Sequence, residues 1–182
     1  MTRFFPILII GFIAAGCGGS KAATPGAASP GTTAKSTAAQ PANADRAIAE
    51  LLPTAQSQTR GMVALHTENG KLVITARVQN LKTGSYGFAV HQGDKCEPPD
   101  AKTAGAIFNP QKADKPLGFI GDLESKGGDN QTLKITGEGL SLSGADSIIG
   151  HTLVLHAWPY DPSVDIQKVP FLACGKIRPD TQ

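Results

Sequence analysis

The chain has 182 residues, with 17 Lys and Arg against 15 Asp and Glu and a formal charge of +2 at pH 7. That near balance, without any cluster of Lys and Arg, excludes a nucleic-acid binder, which would carry a concentrated basic stripe. The sequence also holds no Gly-rich phosphate loop opening a helix, no serine nucleophile elbow and no Cys-x-x-Cys metal knuckle, so the chemistries those motifs serve have nothing to rest on.

Residues 1–17 read as a secretory signal: Arg3 supplies a thin basic region, and the apolar stretch from Phe4 to Ala15 is too short to span a bilayer as a helix. Ala14-Ala15-Gly16-Cys17 resembles the lipobox of bacterial lipoproteins, which implies that Cys17 becomes the acylated first residue of the mature chain. The plainer alternative is an ordinary signal cut at the small residues near Gly16 or Gly19. Both export the domain, and the first places it in the cell envelope, held to a membrane through Cys17 without crossing it. Gly18 follows in place of the Asp that retains some lipoproteins at the inner membrane, which favours the outer membrane where a cell has one.

Residues 18–58 read as a tether. From Gly18 to Asn43 the composition is almost wholly Ala, Gly, Pro, Ser, Thr and Lys, which buries too little apolar surface to offset its ordering entropy. Beyond it, Asp45 as a cap, Ile48, Leu51 and Leu52 at helical spacing and Pro53 as a stop predict a short helical turn, with a frayed lead-in as the alternative. Residues 59–182 have the length of one domain with one core.

Within that domain, Met62 to His66 and Leu72 to Val78 alternate apolar and polar residues and are joined through Asn69-Gly70, a strong hairpin signal. Leu72, Ile74, Ala76 and Val78 share one face and Lys71, Val73, Thr75 and Arg77 the other. Ser85 to His91, Thr132 to Thr136 and Thr152 to Ala157 are further strand candidates between loops rich in Gly, Pro, Asp and Lys. The pattern predicts an all-β Greek-key sandwich or flattened barrel with two long loops.

Six ordered segments then carry a resemblance: Gly87-Phe88-Ala89-Val90-His91, Gly93-Asp94-Lys95-Cys96, Ala104 to Pro110 (Ala-Gly-Ala-Ile-Phe-Asn-Pro), Gly121-Asp122-Leu123, Ser147 to His156, and Ala173-Cys174-Gly175. Together, over about a hundred residues, they are similar to the copper/zinc superoxide dismutase family, which implies the same Greek-key fold. The resemblance also implies a disulfide between Cys96 and Cys174, tying the long loop after β-strand residue His91 to the last strand. Three cysteines in an exported chain divide accordingly, one for lipid and two for the bridge.

For the metal site the resemblance implies departures. The family holds copper by four imidazoles, two from a His-x-His; here the matching positions are Ala89, His91, Ile107 at the zinc-sharing bridge, and His156. Ala89 lies two residues from His91, so it shares that face and presents a methyl group where a donor would stand. Of the zinc ligands only Asp122 matches, Phe119 standing near another; one carboxylate cannot make a tetrahedral zinc site, so Asp122 reads as a loop carboxylate accepting backbone hydrogen bonds. Phe171 occupies the position of the arginine that draws in superoxide. His151 lies five positions before His156, an odd offset that places it on the opposite face of a regular strand.

These positions imply a domain with no catalytic residues, no zinc and at most one copper, held by His91 and His156 as candidate residual ligands; the equal alternative is that the two are partly buried imidazoles hydrogen-bonded to backbone or to each other. The leading expectation is a superoxide-dismutase-like lipoprotein acting as a non-catalytic binding or interaction module, with Trp158, Pro159 and Tyr160 either a recognition surface for a partner or, equally, local packing residues. The alternatives are a copper-dependent dismutase with a reduced site, a periplasmic copper carrier using His91 and His156, and an apolar ligand such as haem clamped between those histidines within a pocket of Ile107, Phe119 and Phe171. Every alternative requires the two histidines to share one surface that solvent can reach.

Overall fold

The computed structural model describes residues 44–128 and 130–181. The signal segment, Cys17 and the tether up to residue 43 lie outside the described residues. Nine strands occur among those described: β1 (Arg46–Pro53), β2 (Arg60–Glu68), β3 (Lys71–Gln79), β4 (Leu81–His91), β5 (Phe119–Gly128), β6 (Gln131–Gly137), β7 (Thr152–His156), β8 (Phe171–Lys176) and β9 (Arg178–Pro179). They form a nearly closed antiparallel barrel in the order β5-β4-β7-β8-β1-β2-β3-β6, with β9 paired to β1. The predicted all-β Greek-key class is therefore the observed one.

The β2–β3 hairpin follows the sequence pattern residue by residue. Asn69 and Gly70 take positive φ values of 51° and 73°, the primed-turn geometry that matches strand twist, and Glu68 pairs with Lys71. Leu72, Ile74, Ala76 and Val78 point into the core, joined by Leu51, Val63 and Leu65 from β1 and β2 and by Phe88, Val90, Leu123, Leu153 and Leu155 from the other half.

The segment 46–53 corrects the sequence reading. It is a strand, not a helical turn, and it belongs to the barrel and not to a tether reaching residue 58. Its inward residues are Ala47, Ala49 and Leu51, all essentially without exposure. Two of these are alanines, so the period of two is masked by the larger Ile48, Leu51 and Leu52, whose spacing suggests a helix. β1 pairs with β2 along most of its length and with β8 at its end, where Leu52 opposes Cys174 and Pro53 opposes Ala173. It is thus the seam between the two halves. Asp122, read from sequence as a loop carboxylate, likewise lies on a strand, β5.

Two long connections cover the outer side of the β4–β7–β8 face. The one after β4 carries a 3-10 turn at Lys102–Ala104, and the one after β7 carries another at Ile166–Lys168. A second, small cluster of Ala101, Ala104, Val154, Phe171 and Cys174, with Cys96 against it, holds the first connection to the barrel wall. Cys96 and Cys174 form a disulfide across 78 residues with Cα atoms 5.7 Å apart, as the resemblance implies.

Candidate functional site

Alternation decides which side chains meet under these connections. On β4, Phe88 and Val90 enter the barrel core, so Ala89 and His91 face outward; on β7, Leu153 and Leu155 enter the core, so Val154 and His156 face outward. Register pairs His91 with Thr152 and Ala89 with Val154, so the two histidines reach toward each other over the Ala89–Val154 rung. Their Nε2 atoms are 3.0 Å apart and their rings stack with centroids 5.0 Å apart at 29°.

Hydrogen bonding assigns the protons. Nδ1 of His91 donates to the Gly105 carbonyl at 2.6 Å, because a carbonyl can only accept. The Nε2 of His91 is then a lone pair, and His156 donates to it from Nε2. That leaves Nδ1 of His156 as a buried acceptor without a partner, a deficit of about 1–3 kcal/mol. The rings are 0% and 1% exposed. Burial, the largest cause, lowers His91 to a pKa of about 4 and His156 to about 3 from 6.5; the Gly105 hydrogen bond partly opposes it at His91, and at His156 the neighbouring His91 and then Lys102 add to it. Both imidazoles are neutral at pH 7.

Phe171 closes the pair from outside, edge-on to both rings, with centroids 5.2 Å from His91 and 4.8 Å from His156. Over its far face lies Lys102, whose Nζ is 4.0 Å from the ring centroid and donates to the Val169 carbonyl at 2.9 Å. The cation beside Phe171 therefore comes from the connection after β4, whereas the arginine position of the resemblance is Phe171 itself, at the start of β8. Sequence reasoning missed it, since Lys102 lies 67 residues from Val169 in the chain and no short motif announces such a contact.

The other implied positions are placed as follows. Ile107 forms an isolated backbone bridge with His91 and is 6% exposed. Phe119 stacks on Tyr160 at 4.4 Å, and the exposed Asp122 carboxylate accepts from the Tyr160 backbone N–H at 2.9 Å, the hydrogen-bonding role expected of it. His151 is separate from the pair: it packs on Phe108 and its Nδ1 donates to the Gln92 carbonyl. His66 is part-exposed, 3.8 Å from Glu68.

Proximity is met and access is not, which divides the metal readings. Among the described residues no three His, Cys, Asp or Glu side chains gather to hold a metal ion. Ala89, Ile107, Phe119 and Phe171 carry no donor, and two imidazoles fall short of a four-imidazole copper site with an adjoining zinc; the residues present do not fit that centre. The haem reading is overturned by distance. Two imidazoles on opposite faces of one iron stand about 4 Å apart, two bonds of about 2 Å in line, and these are 3.0 Å apart with rings stacked.

Comparison with known proteins identifies the family and agrees with the fold. Residues 59–177 match the family model of copper/zinc superoxide dismutase. The chain is 33% identical over 100 residues to a Cu-Zn superoxide dismutase of Drosophila obscura, covering 50% of this chain and 86% of the relative. It is 34% identical over 98 residues to superoxide dismutase A of Xenopus laevis, covering 49% and 63%. A solved structure described as the clock protein EA4 superposes with a TM-score of 0.63 at 25% identity, covering 75% of this chain and 96% of that one. With barrel order, disulfide and matching segments all in agreement, the chain belongs to the copper/zinc superoxide dismutase family.

Proposed function

We propose that this is an exported, superoxide-dismutase-like lipoprotein, anchored through acylated Cys17 in the bacterial envelope, outer membrane where one exists, that has given up the family's metal chemistry and serves as a non-catalytic binding module. The observation that carries the reading is the closed imidazole pair. A dismutase must bring an anion to an accessible metal, whereas His91 and His156 are hydrogen-bonded to each other, neutral, and covered by Phe171. Ile107, Phe119 and Phe171 supply apolar groups where the family has donors or a cation. The binding surface is the segment after β7, where Trp158 is 55% and Val164 40% exposed beside a groove of about 510 Å³ lined also by Tyr160 and Ile166. The existence of this fold in a protein described as a clock protein supports separating the scaffold from dismutation.

One observation favours a second reading, copper binding for carriage or for a reduced dismutase site: a 3.0 Å separation of Nε2 atoms suits two ligands at about a right angle around one ion. Copper and zinc content per chain, measured by mass spectrometry after loading and exhaustive buffer exchange, decides between them. Near-zero occupancy with no superoxide consumption supports the first; about one copper per chain, lost in His91→Ala, establishes the second. The mass of the mature N-terminus, and release of Cys17→Ser from the membrane fraction, tests the anchor.

A further inference from the structure

We propose that Phe171 is a stopper over the His91–His156 pair and Lys102 the latch that holds it, so that entry of water and small solutes to the imidazoles is set by local lifting of residues 165–171 from the turn at 102–105. This goes beyond the binding-module reading and holds whether or not the pair takes a metal.

Three side chains, Lys102, Gln167 and Asp165, tie the two connections together. The Lys102 ammonium lies on the outer face of Phe171 and donates to the Val169 carbonyl, so one side chain grips both the ring and the backbone two residues before it. The Gln167 side-chain amide donates to the Gly105 carbonyl, the same oxygen that His91 Nδ1 uses. The Asp165 carboxylate accepts from the Gln167 backbone N–H at 3.0 Å, and burial lowers the Lys102 pKa while the charges of Asp100 and Asp165 oppose that. Val169 and Phe171 are 2% and 3% exposed, while Val164, five residues before Val169, is 40% exposed. The buried part of this connection is therefore short; lifting it also breaks the bond from the Ala157 N–H to the Pro170 carbonyl at 2.9 Å and that from the Thr54 hydroxyl to the Phe171 carbonyl at 2.7 Å.

The place of Phe171 suits a moving part. It is the first residue of β8, and the pairing of β7 with β8 shifts register between Leu155 and His156, at the rung where His156 opposes Phe171. The ladder is continuous from Ala173 onward, so lifting the first rung leaves the rest of β8 and the disulfide at Cys174 in place.

Acylation of neutral imidazoles by diethyl pyrocarbonate, read for each histidine by peptide mass spectrometry on the intact folded protein, tests the latch. His66 has a side chain 39% exposed and serves as the open reference; His151, part-exposed and outside the pair, reports general loosening. In the wild type His66 is modified while His91 and His156 are protected. Lys102→Met keeps the aliphatic stem and removes the charge and the hydrogen bond, and should raise modification of His91 and His156 about tenfold or more, with His151 unchanged. Phe171→Ala should bring both close to the rate of His66. The proposal is overturned if wild-type His91 and His156 react as fast as His66, or if folded Lys102→Met keeps wild-type protection, or if all four histidines accelerate together. Lys102→Met decides the matter even where Phe171→Ala does not fold.

Discussion

Phe119 stacks face to face on Tyr160, and the carboxylate of Asp122, three residues along the same strand, holds the tyrosine's backbone N–H. Together they make a hydrophobic and hydrogen-bonded join between β5 and the connection after β7. Asp122→Ala should therefore cost stability and nothing metal-dependent: about 1 kcal/mol, given an exposed hydrogen bond, or a Tm lower by a few degrees. Thermal melts with zinc and with chelator should superimpose for wild type and variant alike; a zinc-dependent rise in Tm that Asp122→Ala abolishes would contradict this assignment.

The disulfide closes a loop of 78 residues. On the chain-entropy model such a bridge stabilises by roughly 4 kcal/mol. Cys174→Ser should lower the Tm by well over ten degrees, with an added contribution from a hydroxyl placed in the small cluster around Val154 and Phe171. Scanning calorimetry with and without reductant checks it, the wild type under reductant approaching the variant.

Acid should unfold this protein earlier than its carboxylates alone require. His91 and His156 have folded pKa values near 4 and 3 against about 6.5 in the unfolded chain. Between those values the unfolded state binds more protons, so the stability that the neutral pair contributes is complete above pH 6.5 and is lost as pH falls toward 4. The slope is about 1.4 kcal/mol per pH unit for each group. Urea denaturation at pH 7, 6 and 5 should show this decline, and His156→Leu should flatten it by about half.

Adding donors beside the histidine pair should raise metal affinity, because two apolar positions adjoin it. Ala89 lies between the two histidines on the outer face and Ile107 is bridged to His91. Ala89→His with Ile107→His should raise copper affinity by orders of magnitude in calorimetric titration, at an overpacking cost of about 1–3 kcal/mol. An unchanged affinity in a folded variant would show that these side chains do not converge.

Much of the architecture was readable where alternation uses large residues, as in Leu72, Ile74, Ala76 and Val78. β1 was not, because Ala47 and Ala49 carry its inward face. β5 was hidden for a related reason: Leu123 is its deeply buried apolar residue, while Gly121, Gly127 and Gly128 interrupt the pattern at positive φ. The meeting of His91 with His156 followed from the resemblance, and their outward direction from strand period. A hydrogen bond between them was one of two even expectations; the unpartnered Nδ1 and the Lys102 contact were not legible, the latter because it joins segments 67 residues apart.

The position of β1 at the seam has a practical consequence for any fragment of this protein. The family match begins at residue 59, yet a piece cut there would lose the strand that stands between β8 and β2. Two rows of backbone amides and carbonyls would be left unpaired, and the inner faces of Val63 and Leu65 uncovered, a template for association with other chains. A well-behaved fragment has to start no later than Ala44. The residues just ahead of the family boundary are in this sense the closing stave of the barrel.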